Sequence, residues 1–234
     1  MDGNLHYIKR ATSTQREARR LIEEGSATLG HAVVADQQTD GRGRFGRSWI
    51  SPRGGLYVTF ILPADPSISL KAGLALVRAL RAVSIPAGLK WPNDVLVDGL
   101  KIAGVLTEAD GPYALVGIGL NLTQAPLGTA TCVSRFTDTV DRDGWVRSIV
   151  RELAVTAEGG LDLDAYRTAC LTLGQRVRLE AVAGCCPVEG VAVDVDDKGR
   201  LVVMTVDGGR TVSSGECFHL RASKSTVDPV AESH

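Results

Sequence analysis

The sequence predicts an α+β chain in which helices pack on one face of a sheet and a small all-β unit follows. Three observations carry this reading. Helical spacings come in separate blocks, three successive strand patterns are joined by tight turns with no crossover helix, and from Gly174 onward short strands alternate with Asp/Gly turns. At 234 residues the chain can form one large domain, or one with a small companion.

Thr14-Gln-Arg-Glu17 reads as a capping box, and Ala18, Leu21 and Ile22 continue at helical spacing until Gly25, which predicts a helix over 14–24. The run His31–Ala35 leads into a loop of Gly and Arg, and Leu56–Leu62 reads as a strand closed by Pro63 and Pro66. From Ser69, the residues Leu70, Leu74, Val77, Leu80 and Val83 give an amphipathic helix ending before Pro86. A meander follows, with strands at Val95–Val97, Lys101–Thr107 and Tyr113–Leu120 and turns at Asp98-Gly99 and Asp110-Gly111-Pro112. Helices are expected over 143–158 and 162–172, opened by Asp143 and Asp162. Beyond Gly174, Arg176–Leu179, Val188–Val195, Leu201–Val206 and Thr211–Val212 suggest a small barrel of about 45 to 50 residues. The tail is polar and is expected to be disordered. The boundaries that result are 1–173, 174–222 and 223–234.

Composition narrows the function. Lys+Arg number 26 against Asp+Glu 27, for a net charge of -1, so no overall field draws the chain to nucleic acid or to anionic lipid, and neither is expected as a partner. The start Met1–Arg10 has no apolar core of a secretory signal, and the longest uncharged stretch, Gly111–Ser134, is broken by Pro112, Asn121, Gln124 and Pro126. Cys132, Cys170, Cys185, Cys186 and Cys217 form no CxxC pair and read as reduced thiols of a cytoplasmic protein, with no disulfide between Cys185 and Cys186. His6, His31, His219 and His234 share no ligand spacing, so no structural metal is expected.

Any anion site must therefore be local, and two stretches supply the chemistry. In Asp36–Trp49, Arg42, Arg44 and Arg47 alternate with Gly41, Gly43 and Gly46, so a permissive backbone carries guanidinium forks suited to carboxylate or phosphate. No Gly-Lys-Ser/Thr follows, which excludes a P-loop. A bare Gly/Arg run is equally well a solvated basic loop. In Leu89–Asp94, Pro92 ends a strand and leaves Asn93 and Asp94 at a turn, while Lys101 opens the return strand beside them. Taken alone, Asp98–Lys101 is an ordinary hairpin with a solvent lysine.

Taken together, Ser13-Thr-Gln15, Gln38–Arg47 with Trp49, Lys90–Val97, Lys101–Leu106 and Val116–Leu122 stand in an order and spacing that resemble those of the biotin protein ligases, in the form without an N-terminal DNA-binding domain. The resemblance spans roughly 1–221. It implies a mixed sheet with helices, similar to the class II aminoacyl-tRNA synthetase core, and an SH3-like C-terminal barrel. It also implies that biotin and Mg-ATP form biotinyl-5'-AMP, from which biotin passes to a lysine of a biotin carboxyl carrier domain. By the same resemblance Ser13, Thr14, Gln15, Gln38, Arg42 and Gly43, with the backbone of Gly117 and Gly119, would hold biotin. Arg44 and Lys101 would bind its carboxylate and the α-phosphate as the catalytic pair. Trp49 and Asn121 would border the adenylate, Asn93 and Asp94 would face the nucleotide, and Asp94 would meet Mg2+. Members of this family often pair as homodimers.

Adenylation brings two anions together, so clustered cations suit its transition state better than a protein nucleophile does. The loop over 38–48 is expected to be mobile without ligand and to order over the hydrolysis-prone product. Two positions depart from the family pattern: Gln15 stands where Asn is usual, and Phe45 replaces a commoner basic or polar residue. A lipoate or octanoate transferase of the same superfamily is the nearest alternative, disfavoured because no cysteine lies in the arginine loop or beside Lys101. A non-catalytic biotin sensor is the other; with Tyr7 and Ile8 already reading into the catalytic domain, no helix-turn-helix is expected ahead of it.

Overall fold

The structure is a computed structural model and describes residues 4–138, 140–157, 160–180 and 186–220. Its first strands are β1 (Leu5–Ile8), β2 (Ala32–Ala35), β3 (Leu56–Pro63), β4 (Gly88–Lys90), β5 (Asp94–Val97), β6 (Leu100–Asp110) and β7 (Tyr113–Leu120). They form a seven-stranded sheet in the order β1-β2-β3-β7-β6-β5-β4. Only β1 and β2 pair in parallel; the remaining pairs are antiparallel, so the sheet is mixed. The expected meander is the β5-β6-β7 portion. The parallel pair also brings together two histidines that sequence spacing left apart: His6 Nε2 and His31 Nδ1 lie 3.0 Å from each other, with stacked rings.

Strand alternation decides which face each side chain serves. Val58, Phe60, Val116, Ile118 and Leu120 point into the main core, where they meet α2 (Ile68–Arg81), α3 (Arg142–Ala157) and α4 (Leu163–Ala169). Ile61 and Leu115 point the other way, onto Ala18 and Leu21 of α1 (Thr14–Glu23). The helices are therefore not confined to one face, as the sequence pattern suggested. A single short helix covers part of the second face, and the uncovered part becomes the site.

Helix starts shift for identifiable reasons. Ser13, not Thr14, caps α1 by accepting the Gln15 N–H, because the Thr14 hydroxyl is already engaged with Gln38 and Thr59. Asp141 accepts the Asp143 N–H, so α3 opens ahead of Asp143. Asp162 does cap α4, accepting from Ala165. That helix stops at Ala169, short of 172, because the Leu171 N–H donates to Leu89 O at the edge strand β4.

The C-terminal strands are β8 (Arg176–Glu180), β9 (Val188–Val195), β10 (Leu201–Thr205), β11 (Gly208–Val212) and β12 (Glu216–His219). They form a separate antiparallel sheet in the order β11-β10-β9-β8-β12, with no pair closing it into a barrel among the described residues. β12 has no counterpart in the sequence reading. The inward residues of this sheet, Val177, Leu179, Ala192, Val203 and Cys217, join the main core, so the two sheets share one hydrophobic interior. No helix among the described residues is long and apolar enough to cross a membrane. Cys185, Arg221, Ala222 and the tail 223–234, on which expectations were placed, lie outside the described residues.

Candidate active site

The uncovered part of the sheet's second face floors a cavity of about 430 Å3, a size suited to a small-molecule ligand. On β7, Gly117 and Gly119 alternate with buried Val116, Ile118 and Leu120, so the floor is bare backbone where neighbouring positions carry bulk. The Trp49 indole lies on that floor: a Cβ at Gly119 would fall 2.4 Å from its ring. Gln15, from the first turn of α1, reaches across two strands and donates through Nε2 to Leu106 O at 2.9 Å and to Leu115 O at 3.2 Å. Its Oε1 is buried with no partner among the described residues.

The wall at this end is a chain of hydrogen bonds. Thr14 donates to Gln38 Oε1 through its backbone N–H at 2.8 Å, and Thr59 Oγ1 lies 2.8 Å from Thr14 Oγ1. Gln38 Nε2 donates to Ser51 Oγ at 2.9 Å, and Ser51 Oγ donates to Trp49 O at 2.9 Å. Gly41 sits inside this network, where a Cβ would lie 2.4 Å from both Ser51 Oγ and Trp49 O.

The three loop arginines do three different things, where the sequence offered one clamp. Arg42 pairs at 3.5 Å with Asp40, which also holds Arg16 at 2.8 Å. Arg47 pairs with Glu216 of β12. Arg44 alone of the three is half-buried, donating through Nη1 to Asn93 Oδ1 and to Gly215 O, each at 3.3 Å. Burial pulls its guanidinium down from the usual value and the nearby Asp94 carboxylate acts against that; an arginine so placed still carries its charge. A short turn over Arg44–Gly46 aims it, with Phe45 at a left-handed φ of 58° and the Arg44 guanidinium 4.7 Å from the centre of the Phe45 ring.

On the opposite wall, Asp94 opens β5 and its Oδ1 lies 2.6 Å from Lys101 Nζ, while that ammonium stands 5.1 Å from the centre of the Trp49 ring. Asn93 donates to Val105 O at 2.8 Å, which fixes its amide for Arg44. Asn121 is buried, with Nδ2 donating to Thr131 O at 3.0 Å; it secures the cavity edge beside Lys101. Trp91, between Lys90 and the cis Pro92, donates through Nε1 at 3.0 Å to Gly199 O in the turn between β9 and β10.

Every residue singled out from the sequence as a ligand contact lines this one cavity: Ser13, Thr14, Gln15, Gln38, Arg42, Gly43, Arg44, Trp49, Asn93, Asp94, Lys101, Gly117, Gly119 and Asn121. Gly215, just before β12, and Glu216 and Cys217 of β12 also line it; no spacing in the sequence announces them. The cavity therefore does contain a cysteine. Burial pushes the Cys217 thiol up to about 12, so it is protonated and unsuited to nucleophilic attack near neutrality.

Fold and site together define a class, the biotin/lipoate protein ligases. Residues 7–121 match the biotin/lipoate A/B protein ligase family, and residues 172–220 match the biotin protein ligase C terminal domain. A biotin--[acetyl-CoA-carboxylase] ligase of Mycobacterium tuberculosis is 36% identical over 93% of this chain and 89% of its own. One from Paracoccus denitrificans is 32% identical over 90% of this chain and 98% of its own. The biotin protein ligase of Aquifex aeolicus, solved with biotin and ATP, superposes with a TM-score of 0.81 at 32% identity over 94% of this chain and 99% of that one. The chain belongs to the biotin protein ligase family.

Proposed function

We propose that the chain is an ATP-dependent biotin protein ligase that modifies the biotin carboxyl carrier domain of a biotin-dependent carboxylase. A carboxylate oxygen of biotin attacks the α-phosphorus of ATP, the bond to the β-phosphate oxygen breaks, and pyrophosphate leaves. The amine of a carrier lysine then attacks the acyl carbonyl carbon, AMP leaves, and an amide forms. The observation that carries this reading is the convergence of Lys101 and Arg44 on one cavity from separate segments, each seated by a polar neighbour, Asp94 and Asn93. Two preorganised cations stabilise the charge gathered where carboxylate meets phosphate, and the glycine floor lets the ligand approach the backbone.

The floor end, with Gln15 Oε1 unpaired among the described residues and Thr14 and Gln38 beside it, suits a ligand head bearing N–H donors, as the ureido ring of biotin does. Lipoate and octanoate would leave that acceptor unsatisfied, a penalty that discriminates strongly. Ser13, Arg42 and Gly43 complete the biotin side; Trp49 and Asn121 border the nucleotide.

Among the described residues no group of three or more His, Cys, Asp or Glu gathers to hold a metal, and Asp94 is already paired with Lys101. Such surroundings fit a magnesium ion that arrives on the nucleotide, with most of its ligands from phosphate and water. Asp94 would be its protein contact, and the ion would supply charge neutralisation at the phosphates. Buried free thiols at Cys132, Cys170 and Cys217 favour the reducing cytoplasm. The test is biotin-dependent exchange of pyrophosphate into ATP, with lipoate and octanoate as controls. Exchange with biotin alone is expected; exchange with another acid and none with biotin would overturn the substrate.

A further inference from the structure

We infer that Glu216, the first residue of β12, is a positioning residue for the arginine loop: its carboxylate anchors Arg47 and thereby sets where Arg44 stands over the cavity. This rests on the ligase reading above. The loop turn behaves as one small body. Arg47 N–H donates to Arg44 O at 3.2 Å, and Gly43 N–H donates to Arg47 O at 2.7 Å, so a shift of Arg47 carries Arg44 with it. Two successive residues, Gly215 just before β12 and Glu216 at its start, then grip two arginines of the loop: Gly215 O accepts from Arg44 Nη1 at 3.3 Å, and Glu216 pairs with Arg47. The gripping strand is itself fixed, since Glu216 to His219 pair with Glu180 to Val177 of β8. A Cβ at Gly215 would lie 3.0 Å from Glu180 O.

Exposure decides what this pair can do. Glu216 keeps 23% of its side-chain surface and Arg47 keeps 60%, and ion pairs so exposed add little to global stability. A loop that opens locally, without unfolding the chain, is governed by a much smaller free energy, on which such a pair does register. The C-terminal sheet thus acts on the first half-reaction through a latch, with Glu216 itself at the cavity rim and Arg44 at the reacting atoms.

The experiment uses the full chain as wild type, E216Q, R47A, the double variant, and the charge swap E216R with R47E. Escape of biotinyl-adenylate is measured without carrier, as AMP formed after a chase, together with melting temperature and hydrogen exchange over 42–48. E216Q and R47A are each expected to raise escape about three- to fivefold, the range open to an exposed pair. The double variant matches either single, the swap restores retention, melting temperatures stay at the wild-type value, and added salt raises escape in wild type but not in E216Q. Unchanged escape in E216Q, or single effects that multiply in the double, overturns the latch. Should E216Q fail to fold, the salt response of wild type against R47A decides in its place. Loop exchange is independent of which acid is used: a wild type without biotin-dependent exchange overturns the ligase reading, whereas unchanged loop exchange in E216Q overturns the latch alone.

Discussion

The Lys101 ammonium lies 2.6 Å from Asp94 Oδ1 and 5.1 Å from the centre of the Trp49 ring, so one cation is held between a carboxylate and an aromatic face. Lys101→Ala is expected to lower adenylate formation by about two orders of magnitude or more, the scale of losing a preorganised transition-state contact. Asp94→Asn keeps the shape and loses the counter-charge, and a loss of about tenfold is expected from the mispositioned cation. Pyrophosphate exchange at saturating substrates measures both, and near-normal turnover in Lys101→Ala would refute its role.

Arg44 is anchored by Asn93 and Gly215, and under the proposed function it would hold the loop over the product. Arg44→Ala is expected to shorten the lifetime of bound biotinyl-adenylate and to raise hydrogen exchange across 38–48. Arg44→Lys should recover little of this, because an ammonium cannot reproduce a two-point fork. An intermediate lifetime equal to that of wild type in Arg44→Ala contradicts the assignment.

At Gly119 a methyl group would fall 2.4 Å from Trp49 Nε1, too close for both to stay. Gly119→Ala should displace the indole, raise KM for ATP well above its effect on thermal stability, and change Trp49 fluorescence on nucleotide addition. A variant with wild-type KM would mean that the indole does not border the nucleotide.

Trp91 is 1% exposed and joins the two sheets through Gly199 O. Trp91→Phe strands that carbonyl, at an expected cost of about 1–3 kcal/mol in urea unfolding, the penalty for an unsatisfied buried polar group. No loss of stability would show that the bond holds nothing.

Asp65 sets an acid limit. Burial raises its carboxyl, but hydrogen bonds from Lys71 and Ser67 outweigh this and hold it below the usual 3.8. The folded chain thus binds a proton less readily than the unfolded one. The stabilisation is complete above the unfolded value and is lost as pH falls through it toward the folded value. Asp65→Ala, facing an ammonium whose side chain is 5% exposed, should cost about 2 kcal/mol, between an exposed and a fully buried pair. It should also flatten the stability profile at acid pH; a profile as steep as that of wild type would assign the acid limit elsewhere.

Much of this was legible along the chain. Helical spacing placed α1 to within one residue of its observed end, and the turns at Asp98-Gly99 and Asp110-Gly111 gave the meander because tight turns are local chemistry. The site was legible as motif: Gly/Arg alternation, Lys90–Asp94, and Gly117 with Gly119 on a strand. Illegible were the cap at Ser13, displaced because Thr14 bonds Gln38 and Thr59 across the fold, and β12, whose four residues pair only with β8. Gly215 and Glu216 carried no signal at all, being about 170 positions away in sequence from the arginines they meet.

By itself the sequence determined which residues are apolar and at what period, which turns are tight, and that cations are concentrated in one loop and one lysine against a net charge of -1. These follow from short-range chemistry and need no partner. Only the tertiary structure decided that α1 leaves part of the sheet uncovered, that Arg42 and Arg47 are spent on Asp40 and Glu216 while Arg44 is half-buried, and that the last strand completes the cavity. Which charge meets which is settled by the packing of distant elements, where the free energy of each contact depends on a neighbour that no local pattern records.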